Sequence, residues 1–138
     1  MADPKVKYPY TGRGDQRIAW FRSKTFNIDN GSGTTDDDII LSDLDKAAYV
    51  VHVRAVYVEA TDTAGAASAT FGLGTAVGGV TVVAATALEV SKAVGSATIA
   101  TVVAGLVPAG GALFARHTGI AATDAGQYYL QVGVLLQP

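Results

Sequence analysis

Apolar and polar positions alternate most clearly over residues 47–60, where Tyr49, Val51, Val53, Ala55 and Tyr57 fall on one side of an extended chain. Val50, His52, Arg54, Val56 and Val58 take the other side. One face is apolar and the other mixed, as expected of a long strand in a sandwich. Upstream, 18–28 alternates in part and predicts a first strand carrying the only Trp, Trp20. Residues 27–38, reading Asn-Ile-Asp-Asn-Gly-Ser-Gly-Thr-Thr-Asp-Asp-Asp, satisfy the criteria for a loop. A short strand is expected at 39–41. One turn of helix is expected at 42–46, where Ser42 and Asp45 have capping-box spacing. Downstream, strands are predicted at 67–73, 80–85, 87–92, 97–103, 112–117 and 127–136, separated by glycine-rich turns. About eight strands at this spacing predict an all-β, jelly-roll-like β-sandwich in which 47–60 and 127–136 pair centrally.

Composition supports the same class. The 138-residue chain holds 17 Val, 14 Thr and 16 Gly beside only two Glu, a mixture suited to pleated strands and tight turns. Its 24 Ala dissent, but many sit beside Gly, Thr or Val, where they read as small residues in turns and crowded sheet contacts. This length buries a core without staples, and the absence of cysteine removes disulfides, thiolate metal sites and Cys nucleophiles. No apolar run follows the opening Met-Ala-Asp-Pro-Lys, so no secretory signal is expected.

Charge divides the chain at residue 46. Residues 1–24 carry Lys5, Lys7, Arg13, Arg17, Arg22 and Lys24 against Asp3 and Asp15, whereas 25–46 carry six Asp against Lys46. This predicts an extended N-terminal arm and acidic loop over 1–46, with a strand near 18–28, followed by a β-sandwich domain over 47–138. In the arm, Pro4, Pro9, Gly12 and Gly14 break regular structure, and Val6, Tyr8 and Tyr10 serve as anchors. Interleaved arginines and aromatic rings suit an acidic protein surface, and equally a phosphate backbone with stacked bases. The body adds no basic stripe and the net charge is −2, so docking to protein ranks above a solvated tail, and nucleic acid last.

Other motifs weigh less. Arg13-Gly14-Asp15 spells an integrin-type tripeptide but reads as a turn, and Gly72-Leu73-Gly74 lacks the βαβ context of a dinucleotide site. Asp36, Asp37 and Asp38 lack the alternate spacing and closing Glu of a calcium loop and read as a solvated turn. His52 and His117 read as strand residues at a sheet edge, and Glu59 and Asp62 as flanks of a turn. No catalytic residue, metal or cofactor is assigned. The uncharged run 93–115 has the length of a membrane span but is interrupted by Pro108 and four glycines, so it reads as hairpin and no membrane partner is expected.

The Val-rich strand 49–59 ends in Glu59 and passes through the polar turn 60–65 to a strand that stops at Gly72-Leu73-Gly74. The last strand opens as Ala125-Gly126-Gln127-Tyr128-Tyr129-Leu130-Gln131-Val132. Over 47–138 these features resemble the small jelly-roll decoration (cement) proteins of tailed-bacteriophage heads. The middle stretch 84–111 and the arm are not part of that resemblance.

The resemblance implies a homotrimer on the outer capsid surface that bridges neighbouring capsomers, with the major capsid protein as partner and the virion as location. It implies that Tyr8, Tyr10, Arg13, Arg17, Trp20 and Arg22 dock the arm, and that charge-poor stretches such as 80–90 and 97–103 lie between subunits. The alternative is a jelly-roll receptor- or glycan-binding module of a phage tail fibre or spike, with Tyr57, Tyr128 and Tyr129 as its exposed rings.

Overall fold

The computed structural model describes residues 17–63, 66–121 and 125–137. Among these, ten strands form an all-β sandwich of two antiparallel sheets. They are β1 (Arg17–Arg22), β2 (Phe26–Asn27), β3 (Thr35–Leu41), β4 (Ala48–Tyr57), β5 (Thr70–Gly74), β6 (Val83–Ala87), β7 (Ala97–Ala100), β8 (Leu106–Val107), β9 (Leu113–Thr118) and β10 (Gln127–Leu136). The large sheet runs β1-β10-β4-β7, with β2 also paired to β10 and β8 also paired to β4. The small sheet runs β3-β9-β5-β6. If β1 with β2 and β7 with β8 are each counted as one interrupted strand, eight remain. The first then pairs with the eighth, the second with the seventh, the third with the sixth and the fourth with the fifth. A single long hairpin rolled in this way is a jelly roll. As the alternation predicted, the two ten-residue strands β4 and β10 pair at the centre of the large sheet.

The faces of β4 differ from the expected assignment. Ala48, Val50, Val53, Ala55 and Tyr57 are buried, while Tyr49 and Val51 are exposed. The register explains the change: Gly133 pairs with His52 and Val134 with Val50, which leaves Val51 as an extra residue in a β-bulge. A bulge shifts side-chain parity by one, so strict alternation assigns Tyr49 and Val51 to the wrong face.

Four other expectations are corrected. The first strand is interrupted after Arg22, and Ser23 bridges the gap by donating its N–H to the Leu130 carbonyl (2.9 Å) and accepting the Leu130 N–H on Oγ (2.9 Å). The aspartates 36–38 lie in β3 and not in a loop. Lys24 Nζ meets Asp36 (2.6 Å), Arg116 grips Asp37 through Nε and an Nη (2.8 and 2.9 Å), and Asp38 accepts the Lys24 backbone N–H (2.6 Å). The Arg116 guanidinium holds the Asp37 carboxyl below its ordinary range. Residues 42–46 form no helix, and Asp43 has a positive φ of 53°. The strands expected at 80–85 and 87–92 are the single strand β6. The run 93–115 contains β7, β8 and the start of β9, and no described helix is long and apolar enough to cross a membrane.

The core lies between the sheets and is centred on Tyr57, Phe26, Phe71, Leu73, Leu113, Tyr128 and Leu130. Rings of this size need partners for their polar tips. Tyr57 Oη meets Thr98 Oγ1 at 2.5 Å and accepts the Glu89 N–H at 3.0 Å, and Thr98 in turn donates to Glu89 Oε1 at 2.6 Å. Tyr128 Oη lies 2.6 Å from His117 Nδ1, and Phe26 stacks on the same imidazole. His52 and His117 were expected at an edge, yet both stand on central strands, and His117 is fully buried.

Burial lowers the His117 pKa from its ordinary 6.5, opposed by Asp36 and by the Asn27 and Ile28 carbonyls, which close no hydrogen bond to Nε2. The unfolded chain therefore takes up a proton near pH 6.5 that the folded chain refuses. Stability falls as the pH drops through that value and levels off below the folded pKa. Urea unfolding between pH 7.5 and 5.5 should show this decline, and His117→Gln, although less stable at pH 7.5, should show a flatter profile over the same window.

Candidate functional site

The two outer faces of the sandwich are finished differently. On the small sheet, Gly72 and Gly74 point outward beneath the connection between β5 and β6. A Cβ at Gly72 would meet Val80 at 2.5 Å, and one at Gly74 would collide with the Gly79 backbone. Arg116 lies against Gly78, where an added Cβ would stand 2.8 Å from its guanidinium. The chain thus roofs part of this face itself, the Arg116–Asp37 pair lies beside that roof, and Ile39, two residues along β3 from Asp37, stays exposed.

The outer face of the large sheet has no such roof among the described residues. Strand register arranges its side chains in rows. Ile18 of β1, Leu135 of β10, Tyr49 of β4 and Leu106 of β8 are consecutive partners and form an apolar ridge across four strands. Ile18, Tyr49 and Leu106 are exposed. The next outward row is Trp20, Gly133 and His52. Trp20, 53% exposed, lies across Gly133, where an added Cβ would stand 2.9 Å from the indole, and meets His52 edge-on with ring centroids 5.6 Å apart. The bulged Val51 adds a further exposed apolar side chain.

The third row is Arg22, Gln131, Arg54 and Ile99. The Arg22 guanidinium lies 3.7 Å from the Tyr129 ring centroid, a cation–π contact, and Arg54 Nε donates to Gln131 Oε1 at 2.6 Å. Ile99 is exposed at the end of the row. These three rows contain two arginines and no carboxylate.

Of the residues assigned to docking, Arg17, Trp20 and Arg22 stand on β1, an edge strand of this sheet. Trp20 and Arg22 face outward in successive rows. Tyr8, Tyr10 and Arg13, with the Arg13-Gly14-Asp15 tripeptide, lie outside the described residues. The strands on the N-terminal side of the expected boundary at 46 pair with strands beyond it: β1 and β2 with β10, and β3 with β9.

Sequence reasoning missed Ile18, Tyr49, Val51, Leu106 and Leu135 as surface residues. A signal was present in β4, which is apolar at both parities. The ring platform expected at Tyr57, Tyr128 and Tyr129 does not form, because Tyr57 and Tyr128 are fully buried and Arg22 covers Tyr129. Burial also pushes both buried phenols above their ordinary pKa. Asp62 accepts the Ala66 N–H at the start of a 3₁₀ turn (Ala66–Ser68), 3.1 Å away, and Glu59 is exposed at the strand end. Among the described residues no group of three or more His, Asp or Glu could hold a metal ion.

No protein-family model matches this sequence, and no curated protein matches it. A chain in the solved structure of the cyanophage Pam1 capsid asymmetric unit is similar in fold, with a TM-score of 0.57 and 17% sequence identity. The likeness covers 96% of this chain and 92% of that one.

Trp20, the sole tryptophan, reports directly on the open face. Gly133→Ala should lift the indole off the sheet, shifting its fluorescence to the red and raising its quenching by acrylamide. The crowding should cost about 1–3 kcal/mol of stability in urea. An unchanged emission maximum would mean that the ring does not rest on Gly133 in solution.

Proposed function

We propose that this protein is a structural component of a phage virion that binds the outer surface of the capsid and bridges neighbouring capsomers, as a decoration or cement protein does. The observation that carries the reading is its likeness, over nearly its whole length, to a chain of the cyanophage Pam1 capsid asymmetric unit. The sequence resemblance to jelly-roll decoration proteins supports it independently over 47–138. On this reading the role is mechanical and not catalytic, the partner is the major capsid protein, and the location is the capsid surface.

The physical logic is one of repetition. A symmetric shell presents each small contact many times, and a homotrimer bearing three docking segments gains avidity that one segment lacks. In this reading Tyr8, Tyr10, Arg13, Arg17, Trp20 and Arg22 contribute to capsid docking, with Trp20 and Arg22 held on the β1 edge. Exposed apolar residues near the β6 and β7 edges, among them Val80, Ile99 and Val103, suit contacts between subunits. The receptor- or glycan-binding alternative loses its ring platform, since two of its three tyrosines are in the core.

Quantitative mass spectrometry of purified particles tests the proposal. A lattice-wide cement should be present in hundreds of copies per particle, whereas a dozen copies would assign it to a tail or vertex and absence would remove the virion reading. Replacing Arg13, Arg17 and Arg22 together by Glu should abolish attachment and leave the melting transition in place. Undiminished attachment would remove docking by the N-terminal segment.

A further inference from the structure

The open face of the large sheet is the strongest unexplained feature of the molecule. Its ridge of Ile18, Leu135, Tyr49 and Leu106 spans three inter-strand gaps, about 14 Å, and the rows from Ile18 to Arg22 cover a similar distance along the strands. One margin carries Arg22 and Arg54, and no outward carboxylate stands in these rows to neutralise them. The opposite face has its own roof and an internal Arg116–Asp37 pair.

We propose that this face, and not the N-terminal segment alone, docks the protein, and that its occupant is a protein surface with an apolar centre bordered by carboxylates. The inference rests on the capsid reading above, under which that surface belongs to the shell. Complementarity argues for the chemistry: exposed aliphatic side chains seek an apolar partner, and two arginines at one margin seek carboxylates.

Three other occupants fit less well. A second copy laid face to face would bring another cationic margin and no carboxylate. Residues 1–16 carry Lys5, Lys7 and Arg13 against Asp3 and Asp15, so they share the sign of the arginine margin. A nucleic acid would leave the aliphatic ridge of Ile18, Leu135 and Leu106 against phosphate and sugar, with only two cations to hold it. Size matters as well. A footprint on the order of 200 Å² is well below the roughly 800 Å² per partner of a stable two-body interface. Such a face holds firmly only when an assembly presents it many times over, as a capsid lattice does.

The test uses the full-length chain and shells of the source phage prepared without it. Ile18→Thr, Tyr49→Thr and Leu106→Thr, combined, replace exposed apolar side chains with one suited to strands. The triple variant should load at least tenfold fewer copies per shell at limiting protein, with its melting transition and sedimentation coefficient unchanged. Where the triple variant does not fold, Ile18→Thr and Leu106→Thr singly, at opposite ends of the ridge, should each reduce loading about threefold or more. Arg22→Glu should weaken loading at low salt, with a smaller deficit at 0.5 M salt.

Wild-type loading by the folded variants would overturn the proposal. Loss of self-association together with loading would assign the face to a second copy. Binding of a 20-nucleotide single strand that the triple variant abolishes would assign it to nucleic acid. Each of these results overturns the proposal. If the wild-type protein itself fails to load, the capsid reading falls and this inference falls with it; variants that load as well as a loading wild type remove the inference alone.

Discussion

The pairing of β4 with β10 is the constraint on which the rest of the fold depends. These two strands, 70 residues apart in sequence, run antiparallel at the centre of the large sheet, and every other strand of that sheet pairs with one of them. Their inward positions supply Tyr57, Val53, Tyr128, Leu130 and Val132 to the core. The bulge at Val51 lies within this pairing, so one extra residue decides which side chains enter the core and which form the open face. The pairing of β10 with β1 on its other side sets Gly133 opposite Trp20, where an added Cβ would crowd the indole.

Much of the architecture was legible because its strands are long and apolar, and their turns rich in glycine. The central pair, the sandwich class and the jelly roll followed from the 47–60 and 127–136 segments. The chain was less legible where distant residues decide the conformation. Asp36 to Asp38 read as a loop because they close a run of turn-forming residues, yet they pair with β9, and Lys24 and Arg116 approach from elsewhere in the sequence to meet their carboxylates. Tyr57 and Tyr128 suit the exposed rings of a glycan-binding module by residue type, but Thr98 and His117 satisfy their hydroxyls inside the core. Trp20 and Arg22 were singled out for their chemistry. The ridge beside them was not: periodicity has no means of marking the bulge that turns Tyr49 outward, nor the strand pairing that brings Ile18, Leu135 and Leu106 into its row.

The two outer faces follow opposite policies toward water. On the small sheet a Gly-rich connection and an ion pair cover part of the outer surface, and the exposed apolar side chains Ile39, Val77 and Val80 stand beside or on that cover. On the large sheet aliphatic side chains from neighbouring strands stand side by side in solvent with no covering chain among the described residues. Such an asymmetry gives the domain a polarity: one face partly covered by its own chain, the other bare across four strands.

The rolled hairpin also fixes how the domain bears load. Arg17, the first residue of β1, pairs with Leu136, the last of β10, so these two ends of the described sheet lie side by side. A pull that separates them would open the β1–β10 ladder one pair at a time, an unzipping geometry in which each hydrogen bond meets the force alone. A force spread across the face of the large sheet would instead be shared by the paired strands together. A domain of this topology is weak when peeled from its ends and strong when pressed or sheared across its face, and any material it reinforces should be joined to it over that face.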